Sequence, residues 1–193
     1  MTSSTALLTD RYELTMLAAS LRDGTASRPS VFELFSRRLS GGRRFGVVAG
    51  TGRLLSLVRD FRFGDDELRF LRDNDVVDAA SLRYLEDYRF TGSVRGYREG
   101  ELYFPGSPIL TVEGSFADAV VLETLALSVL NHDSAVATAA SRMSIAAGER
   151  PLAEMGSRRA AERSAVAAAR AAYIAGFRST SNLEAGRTWG IPT

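Results

Sequence analysis

The sequence predicts an α/β protein, with an α+β region to about residue 147 and strand alternating with helix from there to the last residue. Two observations carry this. Apolar residues recur at helical spacing through much of 10–87 and again from Ala117 to Ala147, with period-two stretches between, and beyond Gly148 short strands alternate with Ala-rich helices. The expected division is therefore 1–147, an N-terminal α/β domain with a helical connection, and 148–193, the opening βα units of a parallel sheet or barrel.

Taken in order, Asp10 followed by Glu13 has capping-box spacing, and Leu14, Leu17, Ala18 and Leu21 share one face, so a helix is expected over about 10–22, ended by Gly24. Val31–Phe35 and Phe45–Ala49 read as short strands separated by Gly41-Gly42, able to pair as a hairpin. Leu54, Leu55 and Val58 predict a helix over 51–60. Asp65-Asp66-Glu67 puts acid in the first turn of a second helix, and Leu82 and Leu85 mark a third over about 78–87. Val94 and Tyr97, Leu102–Phe104 and Ile109–Val112, separated by Gly100 and Pro105-Gly106-Ser107-Pro108, predict a small antiparallel sheet.

Ala117–Ala147 is expected to hold two helices, broken near Asn131-His132-Asp133-Ser134. Then follow a strand at Pro151–Gly156, a helix over Arg159–Ala172, a strand edge or loop at Phe177–Asn182, a helix over Leu183–Trp189 and a further strand from Gly190. A closed barrel of this kind takes about 250 residues. The sequence thus leads to the expectation of a truncated product, or of a partner chain that completes the barrel.

Composition removes several classes. With 193 residues, 45% hydrophobic and 24% charged, the chain suits neither disorder, collagen-like repeats nor a disulfide scaffold. All 24 basic residues are Arg, set against 23 acidic ones, so the formal charge of +1 offers no general field for nucleic acid or an anionic membrane. The absence of Lys beside 27 Ala reads as the imprint of a GC-rich genome, and each Arg is argued by position. Without Cys there is no disulfide, Cys–zinc site or Cys nucleophile. No signal-peptide core precedes Asp10 and Arg11, and no window approaches about 18 consecutive apolar residues, so a soluble cytoplasmic protein is expected. Gly41-Gly42-Arg43-Arg44 reads as a surface turn rather than a nucleic-acid arm. Walker, zinc, Gly-x-Ser-x-Gly and dinucleotide motifs are all lacking.

Residues Thr9-Asp10-Arg11-Tyr12-Glu13-Leu14-Thr15-Met16 resemble the N-terminal signature of nicotinate phosphoribosyltransferases. Phe32-Glu33-Leu34-Phe35 with Arg37-Arg38, then Tyr103–Leu110, Glu123–Asn131, Glu154–Arg159 and Ser179–Leu183 with Ala185-Gly186, are similar to later blocks of that family in the same order. The resemblance implies an α/β domain followed by an irregular type II phosphoribosyltransferase (β/α) barrel, here incomplete, in an enzyme that usually works as a homodimer. It implies the joining of nicotinate to phosphoribosyl pyrophosphate to give nicotinate mononucleotide and pyrophosphate, coupled to ATP, with Mg²⁺ on the phosphates, in NAD biosynthesis. The alternative is a non-catalytic fragment or a dimerisation domain derived from such an enzyme.

The resemblance also implies site residues. Tyr12 matches a tyrosine that stacks on the pyridine ring across the dimer interface; read by itself it is a boundary residue near a helix start. Asp10 is either a ligand or simply a helix cap. Arg158, at the end of the first barrel strand, aligns with an arginine that contacts nicotinate or the phosphoribosyl group. Arg158 and Arg159, two cations before a helix, call for an anion to answer them. Met155 stands where relatives often carry a stacking Phe, and its polarizable sulfur can also pack on a ring. Ser181 and Asn182 lie between strand and helix, where hydroxyl, amide and backbone N–H groups suit a phosphate or an ordinary N-cap. The family's phosphorylated histidine belongs to a Gly-Thr-x-Ala-His block lying beyond Thr193. His132, the only histidine, therefore does not inherit that role and reads as a helix-junction residue. No catalytic and no metal-ligating residue is assigned within the chain.

Overall fold

The structure, a computed structural model, describes residues 4–193; Met1–Ser3, where the segment read for a leader begins, lie outside them. Helix α1 runs Arg11–Arg22 and buries Leu14 and Leu17. Asp10 does occupy the N-cap position, with extended φ/ψ, but its carboxylate makes no cap hydrogen bond, which corrects the capping-box expectation. Glu13, the other half of that box, is instead buried and committed elsewhere.

Packing divides the chain into two compact units. The first comprises the described residues up to Leu34, Arg53–Gly96 and Leu110–Ser128; the second comprises Phe35–Gly52, Tyr97–Ile109 and Val129–Thr193. This differs from a linear cut at 147/148 because 35–52 and 97–109 pack with residues far later in the chain rather than with their sequence neighbours.

In the first unit, strand β1 (Pro29–Phe35) belongs to a three-stranded sheet with β3 (Ser93–Gly96) and β5 (Pro108–Ser115), in the order β1-β5-β3. β3 and β5 are antiparallel, with Val94 opposite Val112. β5 takes the centre because its Leu110 and Val112 are buried, whereas β1 alternates half-buried Phe32 and Leu34 with exposed neighbours, as an edge strand does. Helices α2 (Thr51–Asp60), α3 (Asp65–Asp73) and α4 (Ala79–Glu86) follow the expected periodicity. Asp78 caps α4 by accepting from the Ser81 N–H at 2.9 Å. Edge-to-face packing of Phe61 on Phe63 and on Tyr88, each at 5.7 Å, anchors the core. Asp118 gathers that layer, accepting from the Tyr84 hydroxyl at 2.5 Å while its backbone carbonyl accepts from Tyr88 at 2.6 Å.

In the second unit β2 (Gly46–Val47) pairs antiparallel with β4 (Leu102–Tyr103), with Gly46 opposite Tyr103. The expected hairpin of β1 with β2, and a sheet joining β4 to β3 and β5, are thereby corrected. Gly46 is where only glycine fits, since a Cβ there would lie 2.2 Å from Cζ of Tyr103. A second correction concerns the helices between 116 and 147. The break falls after a short α5 (Phe116–Val120), and α6 runs unbroken from Glu123 to Ala147. Polar residues at 131–134 do not interrupt it because Asp133 and Ser134 are buried and partnered; Ser134 Oγ accepts from the Ala49 N–H at 3.2 Å, and Thr138 Oγ1 accepts from Val47 N–H at 2.8 Å. Val47, Ala49, Ala137 and Ala171 close a small core around these bonds.

β6 (Ala153–Glu154), α7 (Glu162–Ile174), β7 (Ser179–Thr180) and α8 (Leu183–Trp189) then alternate as expected, although α7 starts three residues later than the sequence indicated. Residues 190–193 form no strand, another correction, though Pro192 O accepts from Thr180 N–H at 2.9 Å. Glu99 and Arg170 form a two-pronged ion pair with both N–O distances 2.7 Å; their side chains are 19% and 14% exposed. Glu99 also accepts from the Gly50 N–H at 2.7 Å, and the Arg170 guanidinium lies 4.6 Å from the Trp189 ring. Burial alone would raise the Glu99 carboxyl, but Arg170 and the backbone N–H groups of Gly50 and Gly52 outweigh it and hold it below the usual range. Among the described residues no helix is long and apolar enough to cross a membrane.

Candidate active site

Within the second unit β6 and β7 are parallel, with Ala153 opposite Ser179 and Glu154 opposite Thr180. Helix α7 is the crossover between them. Parallel strands joined in this way send their carboxyl ends to one side, where α/β proteins place their ligands. Two loops meet there: Met155–Arg159 after β6, and Ser181-Asn182 after β7.

Hydrogen bonds fix both loops. The Glu154 carboxylate accepts from the Gly156 N–H on its own loop and from Thr180 Oγ1 across the sheet at 2.8 Å. Its backbone carbonyl accepts from Ser181 N–H at 2.9 Å. A Cβ on Gly156 would come within 2.7 Å of Glu154 Oε1, so a larger residue there would push that carboxylate aside. Ser157–Arg159 form a single 3₁₀ turn. Asn182 caps α8, its Oδ1 accepting from Ala185 N–H at 2.9 Å while its Nδ2 donates to Ser157 Oγ at 3.0 Å, which ties the second loop to the first.

Of the sequence-predicted residues, Met155, Arg158, Arg159, Ser181 and Asn182 are thus brought together. Met155 is 72% exposed, and Arg158 and Arg159 point two exposed guanidinium groups from the turn; neither has a side-chain hydrogen bond or ion pair among the described residues. Beside the Ser157–Asn182 bond lies a groove of about 580 Å³ lined by Ser157, Glu162, Arg163, Ala165, Val166, Asn182 and Glu184. Arg158 and Arg159 do not line that groove, which carries the carboxylates Glu162 and Glu184; the two adjacent cations of the turn, without protein partners among the described residues, are what suits this end of the strands to an anion. The sequence reading missed Glu154, Ser157 and Thr180, which hold the loops. Their signal was only that polar residues close a short strand.

Asp10 and Tyr12 belong to the first unit. Asp10 is exposed at the start of α1 and engages no helix N–H through its side chain. The Tyr12 ring is 44% exposed, and its hydroxyl donates to Glu123 Oε1 at 2.7 Å. That bond, with burial and the charges of Glu123 and Glu13, pushes the phenol up to about 12. Directly beside it, Glu13 is 0% exposed. One carboxylate oxygen accepts from Thr124 N–H at 2.7 Å and from Thr124 Oγ1; the other accepts from Thr9 Oγ1. Burial raises the Glu13 carboxyl, and these hydrogen bonds offset that only in part.

His132 sits inside α6, not at a helix junction, with Nδ1 2.9 Å from Oδ1 of buried Asp133. No group of three or more potential metal ligands occurs among the described residues. Of the carboxylates near the loops, Glu154 is committed to the turn and Glu184 to Arg187 at 2.5 Å, which leaves Glu162 at the groove. The described residues here do not form a metal cage.

Residues 7–131 match the sequence model of the nicotinate phosphoribosyltransferase (NAPRTase) N-terminal domain. The chain is 64% identical over 186 residues to nicotinate phosphoribosyltransferase pncB1 of Mycobacterium tuberculosis, covering 96% of this chain and 41% of that protein. It is 39% identical over 193 residues to human nicotinate phosphoribosyltransferase, covering 96% and 36%. The crystal structure of human nicotinic acid phosphoribosyltransferase superposes with a TM-score of 0.88 at 36% identity, over 96% of this chain and 38% of that one. A nicotinate-nucleotide pyrophosphorylase from Pyrococcus furiosus, with a TM-score of 0.77 and 24% identity over 98% of this chain and 41% of that one, shares the fold. The chain thus spans about two-fifths of the length of the curated relatives it matches.

Proposed function

The chain belongs to the nicotinate phosphoribosyltransferase family, and we propose that its residues serve the joining of nicotinate to phosphoribosyl pyrophosphate. In that reaction the pyridine nitrogen bonds to the anomeric carbon as the bond to pyrophosphate breaks, giving nicotinate mononucleotide for NAD synthesis. The transition state is cation-like at the sugar carbon, so the protein's work is positioning and charge stabilisation. The observation that carries the reading is the pair Arg158 and Arg159, held at the carboxyl end of parallel strands with no protein anion to answer them among the described residues.

Arg158 presents a planar fork to the nicotinate carboxylate or to a phosphoribosyl phosphate, and Arg159 adds a second cation. Met155 packs its sulfur against the pyridine ring, and the Ser181 hydroxyl meets a phosphate oxygen. Asn182 contributes chiefly by capping α8 and holding Ser157. Tyr12 stacks its ring on the pyridine from the partner subunit of a homodimer, and Asp10 borders the same approach. In this reading 148–193 open a type II phosphoribosyltransferase barrel in a cytoplasmic enzyme, classed with the ligases because ATP hydrolysis drives it. ATP and Mg²⁺ enter from the family likeness, not from residues of this chain.

The test is steady-state formation of nicotinate mononucleotide by the full-length gene product and its Arg158→Ala variant. Loss of one charge-assisted contact should raise KM for nicotinate or for phosphoribosyl pyrophosphate by about 10- to 100-fold. Unchanged KM for both would remove Arg158 from the site.

A further inference from the structure

The first turn of α1 is clipped to the start of α6 through two consecutive residues. Tyr12 donates to Glu123 at 2.7 Å, and Glu13 accepts from Thr124 at 2.7 Å. The second clip answers a need of α6. Its N-terminal N–H groups have no partner within the helix, and Leu122 before it carries no side-chain acceptor, so Glu13 supplies one from another element. Glu13 and Glu123 also place negative charge at the positive end of the α6 dipole.

From this we propose that Glu123 is a positioning residue: it fixes the ring of Tyr12 by accepting its phenolic proton, while Glu13 locks the backbone beneath it. A tyrosine side chain nearly half in water otherwise rotates freely about its χ angles, and each stacking contact would have to overcome that freedom. With the hydroxyl held at one end and the α1 backbone pinned at the other, the ring is presented to its ligand already ordered. The inference rests on the stacking role proposed for Tyr12. It adds that the residue's affinity is set from α6, 111 residues away in sequence.

The test uses the full-length gene product with KM measured separately for nicotinate and for phosphoribosyl pyrophosphate. Tyr12→Phe and Glu123→Ala should each raise KM for nicotinate by about 3- to 10-fold, the range of one hydrogen bond, with kcat and KM for the sugar pyrophosphate within twofold. The double variant should be no worse than the poorer single, because both remove the same bond. Glu123→Gln, whose amide oxygen still accepts, should restore most of the affinity, and it guards against reading a folding defect of the Ala variant as function. An unchanged nicotinate KM in Glu123→Ala, or additive effects in the double variant, overturns the positioning role while Tyr12→Ala still reports on stacking. If Tyr12→Ala itself leaves KM for nicotinate unchanged, stacking fails and the positioning role fails with it.

Discussion

Replacing Glu13 separates the value of its hydrogen bonds from the cost of its charge. In Glu13→Ala the Thr124 N–H at the head of α6 loses its acceptor in a site closed to water. An unsatisfied buried donor costs about 1–3 kcal/mol, and the one methylene group lost from the buried stem adds roughly 0.8 kcal/mol. The expected destabilisation is therefore about 2–4 kcal/mol, measured by urea unfolding of residues 1–193 followed by circular dichroism. Glu13→Gln keeps an oxygen for Thr124 and turns its amide toward Thr9, whose hydroxyl rotates to accept, so it should stay within about 1 kcal/mol of the parent. The pH dependence distinguishes the two further. Because burial raises the Glu13 carboxyl above its ordinary 4.5, the folded state holds that proton more tightly than the unfolded state. The favourable contribution is then fully present below 4.5 and is lost as pH rises through the folded value. Gln, which does not titrate, should gain on the parent as pH rises to 7 and lose that advantage toward 4.5. An Ala variant as stable as the parent, or a Gln variant with the parent's pH profile, would refute the reasoning.

Arg170→Met should destabilise by about 3 kcal/mol, the lower part of the range for a broken buried pair because both partners keep some exposure; Arg170→Lys should fall between, and a melting temperature unchanged in Met would show the pair to be idle. Since Glu99 titrates below its ordinary 4.5, its contribution stands above that pH and is lost as pH falls through the folded value, so the gap between parent and Met should narrow in acid. Residues 1–193 as an isolated polypeptide should form no nicotinate mononucleotide, since they span 41% of a relative that is 64% identical; turnover by a preparation free of host enzyme would contradict this.

Part of the helical content could be read from spacing alone, because α3 buries Leu68 and Leu71 and α4 buries Ser81 and Leu85 at helical intervals, while α2 buries Leu54. Strand partners were not legible. β1 and β2 look like a hairpin locally, yet β1 finds its partner in β5 and β2 in β4, choices made by the buried Leu110 and by the fit of Tyr103 over Gly46. The Asn-His-Asp-Ser stretch looked like a helix break because its polarity is visible in sequence and its partners, Ala49 among them, are not. At the candidate site the loop residues 155–159 and 181–182 were legible, since βα alternation alone sends them to one end. Glu123 and Glu154 were not, because what marks them is a bond to a residue 111 or 26 positions away.

The interleaving of the two units has a consequence during synthesis. Val47 and Ala49 emerge from the ribosome early, but the side chains that cover them, Ala137 and Ala171, come up to about 120 residues later. At roughly 5–20 residues per second this is a wait on the order of 6–25 s. Throughout it, the β2 segment has neither its apolar cover nor the Thr138 hydroxyl that accepts from Val47. In nascent chains stalled before Ala137 this short stretch is therefore uncovered, which makes it the stretch most open to non-native contact at that stage.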